Sequence, residues 1–428
     1  MAPPAAWHFH RKTYVLALIR LAYSGGLIMR AASSPPSLVT LVFATALSVL
    51  SLNMFLPSLA RMGEDFQADY ALVNLSVAGY LAVSAVLQLI MGPLSDRFGR
   101  RPILLICMAI FACASVGCVL AESIWVFLGF RLMQAAVVAG PVLSSASIRD
   151  MYSPNEAASK LGYVAMAMAL APMLGPMLGG AMDMLFGWRA GFVLYSAFGV
   201  GMLLLLWADM GETNTNRSAT FAAQLREYPH LFRARRFWGY TLCAAFSIGG
   251  FFSFITGAPL VAAAWFDLSP AMLGLGIGII TGGFMVGNFI TGRIAAKTRL
   301  TTMILIGRIV ASTGPLCGFV LFLGGQGSVW VFFGAAVFVG FGNGLTNANA
   351  AAGLMSVRPQ LAGSAAGLSG AMTVGLGAVL TSLTGVFVSP ENGPYLVLGM
   401  MCASSFMGLL AVLYVRWVDQ RHPLPDAI

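Results

Sequence analysis

Charge is scarce in this chain: Asp, Glu, Lys and Arg make up 9% of its 428 residues, against about 25% in ordinary soluble domains. Because 58% of the residues are hydrophobic, too little polar surface remains to cover them in water, which excludes a soluble enzyme. Histidine is scarcer still. His8, His10, His230 and His422 all fall outside the long apolar runs, which excludes a buried imidazole relay and an intramembrane metal site. The six cysteines, Cys107, Cys113, Cys118, Cys243, Cys317 and Cys402, lie inside apolar runs without CxxC or Cys/His spacing, and read as small packing residues. A Gly-Lys-Ser/Thr phosphate loop is missing, so nothing here binds ATP to drive a pump. Gly274, Gly276 and Gly278 form the nearest glycine run, but inside an apolar stretch, where close helix packing is their meaning. No cofactor and no metal are expected.

Apolar runs of about 20 residues, the length that crosses a bilayer, are abundant instead. They predict helices near 38-60, 71-95, 103-121, 124-147, 156-180, 188-207, 237-262, 270-296, 302-325, 328-356, 362-388 and 394-416. Ser153-Pro154-Asn155-Glu156 reads as a capping box with proline at the first helical position, and Ser269-Pro270 repeats the cap-then-proline order. The net charge of +9 is scattered over short loops, so nucleic acid is rejected as a partner and the lipid bilayer accounts for the pattern. With the turn at 92-102 taken as cytoplasmic, the loops, helix ends and tail on that side hold seventeen Lys and Arg residues; the other side holds two, Arg61 and Arg189. One missed span would invert every later loop, so the asymmetry supports twelve spans with both chain ends inside.

The polar stretch from Asp209 to Arg236 divides six helices from six. The expected organisation is an N-terminal extension 1-36, a six-helix half 37-207, a cytoplasmic linker 208-236, a second half 237-417 and a tail 418-428. In the extension, Arg11, Lys12, Arg20 and Arg30 interrupt a modest apolar run. Arg20 at its middle would be costly in lipid, so the segment reads as a loose extension, or translation starts at Met29.

Between the second and third runs stands Gly92-Pro93-Leu94-Ser95-Asp96-Arg97-Phe98-Gly99-Arg100-Arg101-Pro102. Glycine allows unusual backbone angles, proline sets where the turn begins, and three arginines hold the short loop on one side of a bilayer. The run resembles the signature turn of the major facilitator superfamily, with each position of its pattern of glycine, aspartate-arginine and glycine-arginine-arginine filled. Gly287-Asn288-Phe289-Ile290-Thr291-Gly292-Arg293, followed by Lys297 and Arg299, is a degraded echo at the equivalent junction of the second half. The resemblance implies an all-α integral membrane fold of twelve transmembrane helices in two six-helix pseudo-repeats, with a midplane site and alternating access by rocking. It also implies a gating set of Gly92, Asp96, Arg97, Gly99, Arg100 and Arg101. Asp96 would pair with Arg100 four residues on, with Arg149, and with the helix N-terminus near Ala362-Gly363-Ser364, while Asp150 completes the charge network.

The fifth helix holds Gly162, Ala171, Gly175-Pro176 and Gly179-Gly180, which resemble the motif of the superfamily's drug:proton antiporters, with Ala171 in place of one glycine. Ala171, Gly175 and Gly179 lie four apart and make one smooth face for another helix, and Pro172 and Pro176 can bend the segment. In the fourth helix, Arg131-Leu132-Met133-Gln134-Ala135 resembles the arginine motif of the same exporters. Arg131 lies roughly 10 Å into its span by helical rise, where it either snorkels to the outer interface or stands as a fixed positive charge in the cavity, tuning a nearby proton site. Leu52-Asn53-Met54-Phe55-Leu56-Pro57 resembles the bicyclomycin-resistance branch, which carries an aspartate where this chain has Asn53. Asparagine can hydrogen-bond a substrate or Arg131 but cannot take up a proton near neutral pH.

Every acid falls at or beyond a helix end. Asp183 comes closest to a membrane helix on the outer side and Asp150 on the inner side, each reading first as solvated and structural; coupling through Asp183, through water, or no coupling at all stays open. Tyr80 and Gln88 lie within about 80 degrees of each other on one helical face, at spacings that resemble the same branch. Asn343 and Asn347 share a face of the tenth helix, and Phe251 offers an aromatic wall or core packing. Together with Asn53, Arg131 and Gln134, these are the expected contacts of a small-molecule substrate. The resemblance implies a monomeric secondary transporter of the bacterial inner membrane that exports small amphipathic drugs or toxic metabolites, with protons as the counter-substrate. An importer or uncoupled carrier of a small metabolite is one rival, favoured by Asn53; a non-transporting receptor or scaffold on the same fold is another. No nucleophile, base and acid converge in one span, which argues against an enzyme.

Overall fold

The computed structural model describes residues 34–152, 154–214, 231–294, 298–357 and 362–421, and among these twelve long helices follow one another. They are α1 Leu38–Asp65, α2 Tyr70–Phe98, α3 Arg100–Val119, α4 Ile124–Met151, α5 Pro154–Phe186, α6 Arg189–Asp209, α7 Arg235–Phe266, α8 Pro270–Ile294, α9 Leu300–Leu323, α10 Val329–Val357, α11 Ala362–Phe387 and α12 Gly393–Arg421. Eleven are long and apolar enough to cross a membrane, and α5, with 33 residues, stands between the fourth and sixth of them. No strand occurs among the described residues. Outside them lie the N-terminal extension as far as residue 33, the linker residues 215–230, Ser153 of the expected capping box, Lys297, and the side chains of Gly162, Ala362, Gly363 and Ser364.

Proline placement explains where the helices deform. Pro57 has no N–H and its ring crowds the carbonyl four residues earlier, so the first α-helical segment of α1 stops at Asn53. The chain passes through a 3-10 turn, Leu56–Ser58, before resuming at Leu59–Asp65. Pro141 acts likewise in α4: the segment Ala135–Val138 immediately before it tightens to 3-10 geometry. Side-chain caps support other starts. Ser37 accepts from Thr40 N–H at 3.2 Å, Ser123 from Val126 at 3.4 Å, and Ser269 from Met272 at 3.3 Å, the last in the cap-then-proline position expected from sequence.

The stretch at 92-102 is not a loop of eleven residues. α2 continues through Phe98 and α3 begins at Arg100, so Gly99 alone makes the turn, at φ 101° and ψ 151°. Gly92 and Pro93 sit inside α2, which corrects the expectation that proline begins the turn; the chain reverses instead at the residue without a Cβ, the only kind that enters this backbone region cheaply. The Glu212 carboxylate occupies the space that a Cβ on Gly99 would need. Gly99→Ala should therefore cost about 1–3 kcal/mol in backbone strain alone, and lower the thermal midpoint of the purified protein in detergent. An unchanged midpoint would refute it. The tail is also shorter than expected, because α12 runs to Arg421.

The two halves meet along α2 with α11 and α5 with α8. Polar contacts between them gather at the end opposite the Gly99 turn: Tyr70 Oη donates to the Thr256 carbonyl, and Asn74 Nδ2 donates to the Thr381 carbonyl at 2.9 Å. These are the two cross-half hydrogen bonds between described residues, and all five ion pairs between described residues stay within one half. Burial follows the same division. The largest apolar cluster unites Met54, Phe55 and Val77 of the first half with Phe254, Leu273 and Phe332 of the second. Near the turn-bearing end, Phe237, Ile304, Leu354 and Val412 form a separate cluster in the second half. Thus the protein is closed at the end opposite the turn.

Candidate functional site

Arg131 is fully buried, although it stands in an apolar stretch of α4. Its guanidinium donates to four oxygens: Gln134 Oε1 at 2.6 Å, Ser51 O at 2.9 Å, Ser76 O at 3.2 Å and Ser51 Oγ at 3.4 Å. The rings of Phe55 and Tyr80 cover it, with centroids 4.3 and 4.2 Å from Cζ, a placement in which a cation is attracted to the aromatic faces. Gln134 in turn donates to Ser115 Oγ at 2.7 Å. The acceptors and rings around Arg131 come from α1, α2 and its own helix α4, while α3 contributes Ser115 behind Gln134. All of these acceptors are neutral. The enclosure of Arg131 within the first half, with every bond inward to neighbouring helices, speaks against the snorkelling alternative.

Asn53 is not its partner. The Asn53 amide donates to Val49 O at 2.7 Å, its Oδ1 is buried without a partner, and Gly175 of α5 packs against its Cβ. Ser51, two residues earlier, supplies what the sequence reading sought from Asn53. Ser51 and Ser115 carry no signal beyond being small polar residues in apolar runs.

The second half holds a counterpart that the sequence reading missed. Arg308 of α9 is also fully buried and donates to Asn343 Oδ1 at 2.6 Å and Thr346 Oγ1 at 3.0 Å. Asn343 Nδ2 donates to Ser247 O at 2.9 Å, and Ser247 Oγ lies 2.7 Å from Asn343 Oδ1 and 3.1 Å from Asn347 Oδ1. Charge counting assigns Arg308 to a cytoplasmic helix end; its place eight residues inside α9 is the signal that it belongs to the interior. Asn343 and Asn347 are thereby brought into one network. Phe251 is half-buried beside Phe252, their centroids 6.4 Å apart, and stands in the packed wall of α7.

At the closed end the α5 glycines divide their work. A Cβ on Gly179 would meet the Met54 carbonyl within the first half, whereas one on Gly180 would meet the Pro270 carbonyl across the seam with α8. The Pro176 carbonyl abuts Gly274 of α8 in the same way. Three residues past Gly180, Asp183 is 1% exposed, which corrects its reading as a solvated acid. Arg61 bonds its Oδ1 at 3.0 Å and its backbone carbonyl at 3.1 Å, and Asp183 Oδ2 is buried without a partner.

At the turn-bearing end, Asp96 pairs with Arg100 at 2.5 Å and Arg100 with Asp150 at 3.1 Å. Arg149 is exposed and forms no ion pair with Asp96, contrary to the expected network; Arg100 takes that place. Arg97 is exposed over the ring of Phe98. Glu212, unforeseen in the sequence reading, caps α3 by accepting from the N–H groups of Arg100 at 2.9 Å and Arg101 at 3.4 Å. Arg101 donates to Trp207 O at 3.0 Å. The residues expected to form the gate are thus tied to α4, α6 and the start of the linker.

Two six-helix halves, sealed at one end and each built around an enclosed arginine, define a membrane transporter that works by alternating access. The chain belongs to the major facilitator superfamily, whose family model matches residues 41–382. It is 30% identical over 385 residues to the uncharacterized MFS-type transporter YdgK of Bacillus subtilis, covering 85% of this chain and 92% of that protein. It is 27% identical to the bicyclomycin resistance protein homolog of Haemophilus influenzae, covering 83% and 92%. Among solved structures, a bacterial homolog of the human lysosomal transporter Spinster, inward-facing and unoccupied, superposes with a TM-score of 0.71 at 18% identity, over 91% of this chain and 98% of that one, a likeness of fold. The protein is an integral membrane transporter and not an enzyme.

Proposed function

We propose that the transporter exports small amphipathic molecules across the inner membrane of a bacterium, that its turn-bearing end and both termini are cytoplasmic, and that protons drive it. The observation that carries the reading is the glycine and proline face of α5, which lets α1 pack on one side and α8 on the other at the closed end. Resistance to bicyclomycin in the name of the Haemophilus relative supports export of a drug-like molecule. Positive loops at the turn-bearing end support its cytoplasmic placement. Enclosed within the first half, Arg131 acts by fixing α1, α2 and α4 around a positive charge, and Asn53 supplies polar contact without a proton.

Asp183 is our candidate for proton coupling. It is the one fully enclosed carboxylate among the described residues, and the charged group facing it is Arg61. It follows Gly180 by less than one helical turn, so a proton that neutralises Asp183 and releases Arg61 acts directly on the seam with α8. In everted membrane vesicles, an imposed proton gradient should drive uphill uptake of a fluorescent amphipathic drug, and an uncoupler should abolish it. Asp183→Asn should remove the uphill component while downhill exchange persists. Uphill uptake indifferent to the uncoupler would overturn proton-driven export; uncoupler-sensitive uptake retained by Asp183→Asn would overturn only the choice of residue.

A further inference from the structure

We propose that the second half carries a binding site for an anionic phospholipid on its outer side, where the first turns of α7 meet the last turns of α12. Arg235 and Arg421 hold the headgroup phosphate, and the exposed face of α12 carries the acyl chains. The site is separate from the enclosed arginine networks; only its placement in the cytoplasmic leaflet rests on the orientation proposed above.

Packing brings the two helix ends together. Arg236 of α7 pairs with Asp419 of α12 at 2.6 Å, and a Cβ on Gly239 would meet Val415 and, at 3.5 Å, the ring of Tyr414. Gly239 is therefore the notch in which Tyr414 lies against α7. From there a ladder of rings and charge climbs α12: Tyr414 stacks on Trp417 with centroids 5.9 Å apart and planes at 23°, and the Arg421 guanidinium covers Trp417 at 4.2 Å from its centroid. On α7 the helical repeat of about 100 degrees per residue sets Arg235 between Trp238 and Gly239. Trp238 donates to Phe232 O at 2.8 Å and packs against its ring. Met407, Leu410, Tyr414, Trp417 and Arg421 share one face of α12 within about 80 degrees, and the first four are between 40% and 44% exposed.

Apolar residues facing lipid are ordinary on a membrane helix; the order and the charge of this face are what single it out. The rise from Met407 to Trp417 is about 15 Å by helical geometry, the depth of one leaflet in a hydrocarbon core of roughly 30 Å. Met407 and Leu410 thus lie at acyl-chain depth, Tyr414 and Trp417 at the headgroup level that such rings favour, and Arg421 just beyond. The charge is of one sign. Asp419 is the sole acid among the described residues at this end of the second half, and Arg236 holds it. Arg233, Arg235 and Arg421 are exposed and have no ion-pair partner among the described residues. A zwitterionic headgroup brings its own cation and gains little from them. An anionic phospholipid brings a phosphate without one, and a guanidinium is a planar fork that fits phosphate oxygens. Each arginine near such a headgroup strengthens binding by about fivefold.

Native mass spectrometry of the purified full-length protein, with graded amounts of dioleoylphosphatidylglycerol or dioleoylphosphatidylcholine added to the detergent, reads the affinity for each lipid. The native protein should favour phosphatidylglycerol by about thirtyfold, the effect of two arginines. Arg235→Gln combined with Arg421→Gln should bring the two lipids within about threefold of each other. Arg421→Gln alone should cost the anionic lipid about fivefold, and serves if the double variant does not fold. Arg293→Gln combined with Arg299→Gln removes the same charge from the junction of α8 and α9 at the same end, and should keep the native preference. The proposal is overturned by a native preference under about threefold, by a preference that survives the loss of Arg235 and Arg421, or by an equal loss in the variant of the α8 and α9 junction. Displacement of the bound lipid by inorganic phosphate would also overturn it, because the site would then take a free anion. None of these readouts involves transport or orientation, so the export reading can fail without deciding the lipid site.

Discussion

Gly180→Leu should hold the transporter open at the end opposite the turn and reduce transport by about tenfold or more. The Cβ alone would collide with the Pro270 carbonyl and with Ala271 Cα, and both obstacles are backbone, which cannot rotate aside as a side chain can. Closing this seam around a leucine then costs on the order of 1–3 kcal/mol as overpacking, which is a shift of roughly fivefold to a hundredfold in the ratio of closed to open protein. Because the strain exists only when the halves meet, the folded halves themselves are spared. Gly179→Leu is the internal contrast: its neighbour is the Met54 carbonyl of its own half, so it should lower thermal stability instead. Labelling of a cysteine placed beside the seam measures the first effect. A seam in Gly180→Leu that stays as protected as in the native protein, with transport intact, would refute the assignment.

Arg131→Met should abolish transport while costing little stability. Methionine orphans the acceptors on Gln134, Ser51 and Ser76, at about 1–3 kcal/mol for each group left unsatisfied. Against this stands the removal of a cation that no carboxylate neutralises; burying a charge of that kind costs several kcal/mol even after relaxation. The two effects are of similar size, and the longer apolar chain keeps contact with Phe55 and Tyr80. Arg131→Lys should not rescue transport: an ammonium cannot lie flat between two rings while its donors reach acceptors on α1, α2 and α4. Thermal midpoints and vesicle uptake separate the outcomes. Uptake by Arg131→Met within twofold of native would show that the enclosed charge is dispensable.

Much of the architecture was legible because a bilayer imposes simple rules. Span length and loop charge are properties of short segments, so the twelve helices could be read without knowing how they pack. The turn was legible in kind but not in extent. Helical geometry absorbed Gly92, Pro93 and Asp96 into α2, and only the positive φ of Gly99 remained as the reversal. Residue roles were harder. Arg131 announced itself as a charge in an apolar run, yet its partner is Ser51 and not Asn53, because residues two apart on one helix stand about 200 degrees apart around its axis. Asp183 looked solvated from its place near a helix end, and is buried because Arg61 folds back over it. Arg308 was hidden by the same rule that fixed the topology, since counting charges by side cannot tell a helix end from a point eight residues in.

By itself the sequence determined that this chain crosses a membrane many times, reverses at a basic turn, repeats its design in two halves and carries an arginine, Arg131, where lipid alone would reject it. These are consequences of local hydrophobicity and charge, which act residue by residue. The tertiary structure alone decided which oxygens receive each buried guanidinium, which of two adjacent glycines guards a seam between halves, and which carboxylate is enclosed. Those outcomes depend on approach distances between helices far apart in the chain, set by proline breaks and missing Cβ atoms that only packing brings face to face.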